Sequence, residues 1–230
     1  GRKIGYLLQE PYTCFDPLMK VGVQLEESYC IVNRTSGKRE RRRAVLNVLN
    51  LVGFSDAEHI YNMYPGELSG GMCQRLMAAN VFIQNPELII ADEPCSSLDT
   101  HSRLLVLNLF RQYVSNGGTL IIITHDIREA EYLTEEVISF DGKNKSDYNR
   151  ELCSVITKNR GLLQAVTASD DSVLKVRGLS KTYKNGRKYV KALDNISFDL
   201  KPGKVLGVVG AEGSGKTTLL NIIGGLDRYD

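Results

Sequence analysis

The sequence lacks the features of several large classes of protein. No apolar run approaches the roughly 18 residues needed to span a bilayer. Lysine and arginine number 29 against 27 aspartate and glutamate, so the net charge of +2 indicates no surface built for nucleic acid or acidic lipid. We therefore expect a chain that does not itself cross a membrane and that has no nucleic acid partner.

Cysteine is present, but its spacing is not typical of a metal site or a disulfide framework. The five cysteines form no Cys-x-x-Cys pair, and their number is odd. Zinc knuckles and disulfide scaffolds need paired or regularly spaced thiols. The cysteine usage therefore fits a reducing, cytosolic environment.

Short apolar runs alternate with helical patterns along most of the chain. Hydrophobic residues make up 42% and charged residues 24%, which is typical of a globular protein. Because alternating strands and helices favour a parallel sheet, we predict an α/β fold. The predicted strands cover residues 4–8, 88–91, 120–123, 137–140 and 205–209.

A polar, weakly patterned stretch divides the chain into two parts. Residues 143–172 show little apolar periodicity, which predicts a linker. Beyond it, residues 173–176 and 196–200 alternate in the manner of strands. We expect one structural part over residues 1–142 and a second over residues 173–230.

The most specific motif is a glycine-rich loop between a predicted strand and a predicted helix. It matches the phosphate-binding pattern G-x-x-x-x-G-K-[ST], in which backbone N–H groups and the helix N-terminus attract an anion. Lys216 is expected to neutralise the β- and γ-phosphates, and the Thr217 hydroxyl to hold Mg²⁺. The predicted nucleotide-binding residues here are Gly210, Ala211, Glu212, Gly213, Ser214, Gly215, Lys216, Thr217 and Thr218.

Two adjacent acids follow another predicted buried strand. The run Leu88–Ala91 leads directly into Asp92 and Glu93. Asp92 is suited to supporting Mg²⁺, and Glu93 to polarising a water molecule. Acids that follow a strand are also common in ordinary loops, so this pair indicates a nucleotide site only in combination with the motifs around it.

Five features stand in one order along the chain. They are Gln9, the run Leu68-Ser69-Gly70-Gly71, the pair Asp92-Glu93, the run Ser97-Leu98-Asp99, and His125. With the glycine-rich loop, this set resembles the ATP-binding cassettes of ABC transporters. The resemblance implies a P-loop NTPase fold of the ABC type, with a mostly parallel sheet and a helical signature subdomain.

The resemblance also implies a role for each motif. Ser69, Gly70 and Gly71 would belong to the signature and Asp99 to the D-loop, all of them contacting nucleotide. Tyr183 would stack on adenine. Glu93, His125 and Gln9 would be catalytic, as the water-polarising acid, the switch histidine and the Q-loop glutamine. ATP and Mg²⁺ would be the cofactors, with the metal held by Thr217, Asp92 and Gln9.

Residues 9–22 resemble one branch of that family, the oligopeptide, dipeptide and nickel importer ATPases. This resemblance implies an ATPase subunit that powers peptide or nickel-type import through separate transmembrane permease subunits. It would lie in the cytoplasm, on the inner face of the cell membrane. Three alternatives stay open: a soluble tandem ABC ATPase with no transporter, an incomplete or circularly permuted cassette with weak ATPase activity, and a fragment that neither binds nor turns over ATP.

The order of the motifs is reversed relative to an ordinary cassette of this family, because Lys216 follows Asp92. Either the chain is a window cut from a tandem double cassette, or it is one cassette in circularly permuted order. We favour the tandem window, because residues 143–172 are typical of an inter-cassette connection. Asp92, Glu93 and His125 would then serve a phosphate loop outside this chain.

A second cassette, in cis or in trans, is expected as a partner, and homo-association is a further expectation.

Overall fold

The computed structural model describes residues 3–134, 136–140, 172–185, 188–211 and 213–230. It divides into two compact units, Gly1–Ser115 and Asn116–Asp230. The predicted linker lies outside the described residues except for Ser172, as does Glu212 of the glycine-rich loop. The predicted boundaries at residues 142 and 173 therefore stay a prediction.

The first unit combines two parallel strands with a group of helices. Strand β1 pairs with β2 so that Leu7 lies opposite Ala91, and every residue of β2 is buried. An unbroken buried strand is typical of a parallel sheet covered on both faces. The elements are β1 (Ile4–Leu7), α1 (Val21–Val32), α2 (Lys38–Leu51), α3 (Ala57–Asn62), α4 (Gly70–Phe82), β2 (Leu88–Asp92) and α5 (Thr100–Ser115), with 3₁₀ turns at Pro11–Cys14 and Pro65–Glu67.

The spacing of apolar residues over 21–51 predicts helical structure, and the structure has two helices there, α1 and α2. They are separated because Ser36 closes a turn on Asn33, with both its N–H and its hydroxyl donating to the Asn33 carbonyl. Serine and glycine favour such turns over a continuing helix, and Gly37 then stands at the start of α2.

The second unit places a strand from the end of the chain between two earlier strands. Strand β7 pairs in parallel with β3 on one side and with β4 on the other, and Val208 lies opposite both Ile123 and Ile138. Strands β5 and β6 form an antiparallel hairpin. The elements are β3 (Thr119–Thr124), α6 (Ile127–Leu133), β4 (Glu136–Ser139), β5 (Leu174–Asn185), β6 (Lys188–Leu200), β7 (Val205–Val209) and α7 (Lys216–Ile223).

The sequence after the glycine-rich loop predicts a helix from Lys216 to about Leu226, whereas helix α7 ends at Ile223. The reason is a Schellman turn. Gly225 adopts a φ of +73°, its N–H donates to the Ile222 carbonyl, and the Leu226 N–H donates to the Asn221 carbonyl at 2.7 Å. This turn fixes the direction in which the chain leaves the helix.

The fold class is confirmed as α/β with mostly parallel strand pairing. Within the described ranges, no helix is both long enough and apolar enough to cross a bilayer.

Candidate functional site

The glycine-rich loop connects β7 to α7 in the second unit. Gly215 adopts a φ of +102°, and a Cβ atom there would lie 2.3 Å from the Ala192 carbonyl oxygen on β6. Only glycine fits this position without moving the backbone. The loop therefore lies directly against the hairpin, as close backbone packing around a bound phosphate requires.

Lys216 is held against the loop by the loop's own carbonyl groups. Its side chain is buried, and its Nζ donates to the carbonyl oxygens of Gly210 at 2.7 Å and Ala211 at 2.8 Å. Helix α7 begins at this lysine, so its first turn, with Thr217 and Thr218, adds N–H groups that have no partner within the helix. A buried ammonium group beside a helix N-terminus fits a phosphate group.

His125 leaves the sheet at the same edge as this loop. Thr124, the last residue of β3, lies opposite Val209, the last residue of β7. His125 is exposed, and the hydrogen bonds that hold the turn carrying it include those from Thr124 Oγ1 to Glu129, from the Asp126 N–H to Thr124 Oγ1 and from the Arg128 N–H to Asp126. The register thus brings the predicted switch histidine and the predicted phosphate loop together, although they come from opposite parts of the chain.

Asp92 is the last residue of the buried strand β2 of the first unit, Glu93 follows it directly, and both residues are buried. Glu93 adopts a φ of +49°, a left-handed conformation that costs a non-glycine residue about 1–3 kcal/mol and is concentrated at functional sites. Gln9 is exposed two residues after β1, which ends beside β2. The three predicted residues therefore lie at one edge of the parallel strand pair.

The signature residues begin helix α4 of the first unit. Ser69 caps the helix by accepting a hydrogen bond from the Met72 N–H at 3.3 Å. A Cβ atom on Gly71 would lie 3.1 Å from the Ser97 carbonyl oxygen, so the start of the helix packs closely on the loop at residues 97–99. Gly70 is the first residue of α4 and is partly exposed.

Asp99 lies directly before α5 and forms hydrogen bonds with the first turn of that helix. Its Oδ1 accepts hydrogen bonds from the N–H groups of His101 and Ser102 at the start of α5. The hydrogen bonds from Ser102 hold the pKa of Asp99 below its usual range. Asp99 therefore stabilises the first turn of α5, and its contact with nucleotide stays a prediction.

Gln74 is a residue of this site that the sequence analysis missed. It is 1% exposed on α4, its Nε2 donates to the Glu93 carbonyl oxygen at 2.9 Å, and its Oε1 accepts from the Ser97 N–H at 3.0 Å. One amide thus joins the signature helix to the strained turn at Glu93 and to the following loop. The sequence signal was weak, because Gln74 stands beside Arg75 in a helix that also contains Asn80.

Tyr183 lies on β5 and is tied to the region that follows the glycine-rich loop. Its hydroxyl donates to Asp227 Oδ2 at 2.6 Å and also shares a hydrogen bond with the Thr218 side chain. The bond to the carboxylate raises the pKa of Tyr183 and lowers the pKa of Asp227. The predicted adenine-stacking residue and α7 are therefore connected within the second unit.

Metal-binding candidates are split between the two units. In the part of the chain that the structure describes, no group of three His, Cys, Asp or Glu side chains could hold a metal ion. Mg²⁺ at nucleotide sites commonly takes one or two protein ligands and completes its shell with phosphate oxygens and water. Thr217 of the second unit, and Asp92 and Gln9 of the first, offer oxygen ligands of that kind.

Comparison with known proteins identifies the family. The family model described as ABC transporter matches residues 1–96 and 193–230, which together are more than half of the chain. The chain belongs to the ABC transporter family. The resemblance found in the motifs is therefore confirmed, whereas the tandem arrangement stays a prediction.

The chain is similar to several members of the ABC family but covers only part of each. It is 37% identical over 139 residues to the oligopeptide transport ATP-binding protein AppD of Bacillus subtilis, covering 60% of this chain and 42% of that protein. It is 30% identical over 239 residues to the peptidoglycan transport ATP-binding protein YejF of Agrobacterium fabrum, covering 95% and 44%. It is 29% identical over 266 residues to the glutathione import ATP-binding protein GsiA of Salmonella choleraesuis, covering 95% and 42%. The chain spans less than half the length of each of these relatives.

A solved ABC structure supports the fold. The dimeric ATP-binding cassette MJ0796, in a post-hydrolysis state bound to ADP and Pi, superposes with a TM-score of 0.52 at 30% identity. The match covers 56% of this chain and 55% of that one. The P-loop NTPase fold of the ABC type is confirmed.

We expect Gln74→Leu to destabilise the first unit. The change leaves the Glu93 carbonyl and the Ser97 N–H without their buried partner, which costs about 1–3 kcal/mol of unfolding free energy. Urea denaturation measures this loss. Gln112→Leu is the matched control, because Gln112 is exposed on α5 and its replacement should change stability by less than about 0.5 kcal/mol. Equal stability of the two variants would contradict the role given to Gln74.

Proposed function

We propose that this chain is part of an ATP-hydrolysing subunit that energises import of a peptide-type solute through separate transmembrane permease subunits. The observation that carries the proposal is the glycine-rich loop, with Lys216 buried against it and α7 beginning there. The names of the relatives refer to oligopeptide, peptidoglycan and glutathione transport. These names favour a peptide-type solute over nickel. The proposed location is the cytoplasmic face of the cell membrane.

In the proposed reaction, water attacks the γ-phosphate of ATP as the bond to the β-phosphate breaks, which yields ADP and phosphate. Lys216 leaves the carbonyls of Gly210 and Ala211 and binds the β- and γ-phosphates. In the tandem arrangement, Glu93 orients the water and His125 contacts the γ-phosphate of an ATP molecule bound at a phosphate loop outside this chain. When bound, Mg²⁺ supplies charge neutralisation at the phosphates. Thr217 is its proposed ligand at the phosphate loop of this chain, and Asp92 and Gln9 are proposed ligands at the loop outside this chain that they serve.

The signature residues serve a second cassette in this proposal. Ser69, Gly70 and Gly71 stand at the N-terminus of α4, where the helix dipole favours an anion. They would contact an ATP molecule held by the phosphate loop of a partner cassette, in cis or in trans. Asp99 would lie at the same composite site.

We also propose that the chain corresponds to a window of a tandem double cassette. The alignment with YejF runs through 95% of this chain yet takes up less than half of that protein. The signature part and the phosphate-loop part therefore align, in the same order, with one longer relative. This supports the tandem interpretation.

The circularly permuted arrangement is the second candidate, and one observation favours it. Strand β7, which leads into the phosphate loop, lies between β3 and β4 of the preceding part of the chain. In that arrangement His125 and Lys216 would serve the same nucleotide, because both leave the sheet at one edge.

ATP binding is expected to depend on Lys216. The Lys216→Ala variant removes charge-assisted contacts worth about 1.5–3 kcal/mol, which is about a 10- to 150-fold loss of affinity. Isothermal titration calorimetry with Mg-ATP measures the change. Lys204→Ala removes the same charge from an exposed position just before β7 and should bind as the unmodified chain does. Undiminished binding by Lys216→Ala would refute the proposed site.

Steady-state ATPase measurements on the full chain separate the two arrangements. A tandem window predicts weak or absent turnover, because Asp92 and Glu93 then serve a phosphate loop outside this chain. Vigorous hydrolysis that is lost in both Lys216→Ala and His125→Ala would overturn the tandem window and support the permuted arrangement.

Association with membrane subunits tests the transport role. Affinity-tagged protein, isolated from its own cells after mild detergent extraction, is expected to co-purify with polytopic membrane proteins identified by mass spectrometry. Recovery with soluble enzymes alone would refute the import proposal and favour the alternative of a soluble ABC ATPase with no transporter.

A further inference from the structure

The aromatic ring of Tyr183 is fixed at both ends. Its backbone pairs with Val190 across the β5–β6 hairpin. Its hydroxyl donates to Asp227 Oδ2 at 2.6 Å and shares a hydrogen bond with Thr218 in the first turn of α7. These two anchors lie at the ends of the axis from Cβ to the hydroxyl, so they fix the direction of the side chain and the place of the ring.

Both oxygens of the Asp227 carboxylate are occupied. Oδ2 accepts from Tyr183, while Oδ1 accepts from the Arg228 N–H at 2.7 Å and lies 3.4 Å from Lys181 Nζ. Lys181 also donates to the Arg228 carbonyl oxygen. The carboxylate therefore cannot rotate without breaking several contacts at once.

The position of Asp227 is set by the helix that begins at the glycine-rich loop. The Schellman turn after α7 brings the Asp227 N–H to the Asn221 carbonyl at 3.1 Å. Hydrogen bonds therefore run from the end of α7 through Asp227 to the tyrosine hydroxyl.

The ring keeps an accessible surface. Tyr183 is 39% exposed, and Lys181 Nζ lies 5.2 Å from its ring centroid, at cation–π distance. The lysine side chain is only 13% exposed, so its ammonium group is part of the packed cluster rather than a mobile surface charge. The tyrosine is therefore oriented and still open to a ligand.

We propose that Asp227, supported by Lys181, is a positioning residue that orients Tyr183 for stacking on the base of a nucleotide whose phosphates lie in the glycine-rich loop. The inference rests on the proposed function for ATP binding at that loop, and the stacking role of Tyr183 comes from the family resemblance. Asp227 and Lys181 are assigned by the contacts described above. Orienting the ring before binding saves the entropy of ordering it, so affinity for the base depends on Asp227.

The test compares two ligands that share their phosphates and differ in the base. Calorimetry on the full chain measures the affinity of Mg-ATP and of Mg-tripolyphosphate. Asp227→Ala is expected to weaken ATP about threefold to tenfold and to leave tripolyphosphate unchanged. Asp227→Asn keeps an acceptor for the tyrosine hydroxyl and should restore part of the loss. Asp230→Ala removes an exposed carboxylate three residues away and is the matched control.

A double-mutant cycle shows whether Asp227 acts through the tyrosine hydroxyl. Tyr183→Phe keeps the ring and the fold, and it should weaken ATP as much as Asp227→Ala does. Combining the two changes should add nothing further, and Tyr183→Ala should lower ATP affinity towards that of tripolyphosphate. An equal loss for both ligands in Asp227→Ala, or an undiminished effect of that change in the Tyr183→Phe background, would overturn the inference.

A different pattern of binding results would refute the proposed nucleotide site itself. If the unmodified chain binds neither ligand, or if Lys216→Ala binds both as well as the unmodified chain does, the nucleotide site itself is refuted and the role of Asp227 with it. If Lys216→Ala loses both ligands while Asp227→Ala changes neither, ATP binding stands and only the positioning role is refuted.

Discussion

The arrangement of the second unit depends on the parallel pairing of β7 with β3 and β4. All five residues of β7 are buried, so its backbone groups must be paired within the sheet. The register that pairs them also presses Gly207 against Ala130 and Thr134 of α6 and the following turn, where even a methyl group would collide. Because both neighbours run parallel to β7, the loop after it and His125 after β3 come to the same edge.

The order of strands along the chain imposes little on their order in the sheet. The entropy of closing a loop grows only slowly with its length, so a distant strand can occupy a central position if its buried surface fits. This is why the reversed order of the ABC motifs is compatible with regular pairing in the second unit. Pairing alone does not distinguish a window of a tandem protein from a permuted cassette.

Polar contacts hold the functional loops of each unit in conformations that apolar packing alone would not select. In the first unit, Gln74 bonds the turn at which Glu93 adopts a positive φ. In the second, Lys216 bonds the loop carbonyls and Asp227 bonds Tyr183. Such contacts offset the cost of strained or ordered groups where nucleotide chemistry needs them. The same residues therefore serve stability and the proposed activity.

Local pattern was sufficient for the strands of the parallel sheet and for the glycine-rich loop, because period and motif spacing are properties of neighbouring residues. For the hairpin it predicted only residues 173–176 and 196–200, whereas the strands run over Leu174–Asn185 and Lys188–Leu200. It could not reveal the partners of Gln74, which lie 19 and 23 positions away, or the bond between Tyr183 and Asp227, 44 positions apart. Those contacts form only when the helices and strands pack together, because no local sequence pattern indicates which distant residues will pair. The sequence alone thus determined the family, the phosphate loop and the fold class. Only the tertiary structure decided that β7 lies between β3 and β4, and which side chains hold the reactive loops in place, because both follow from buried surfaces that meet in three dimensions.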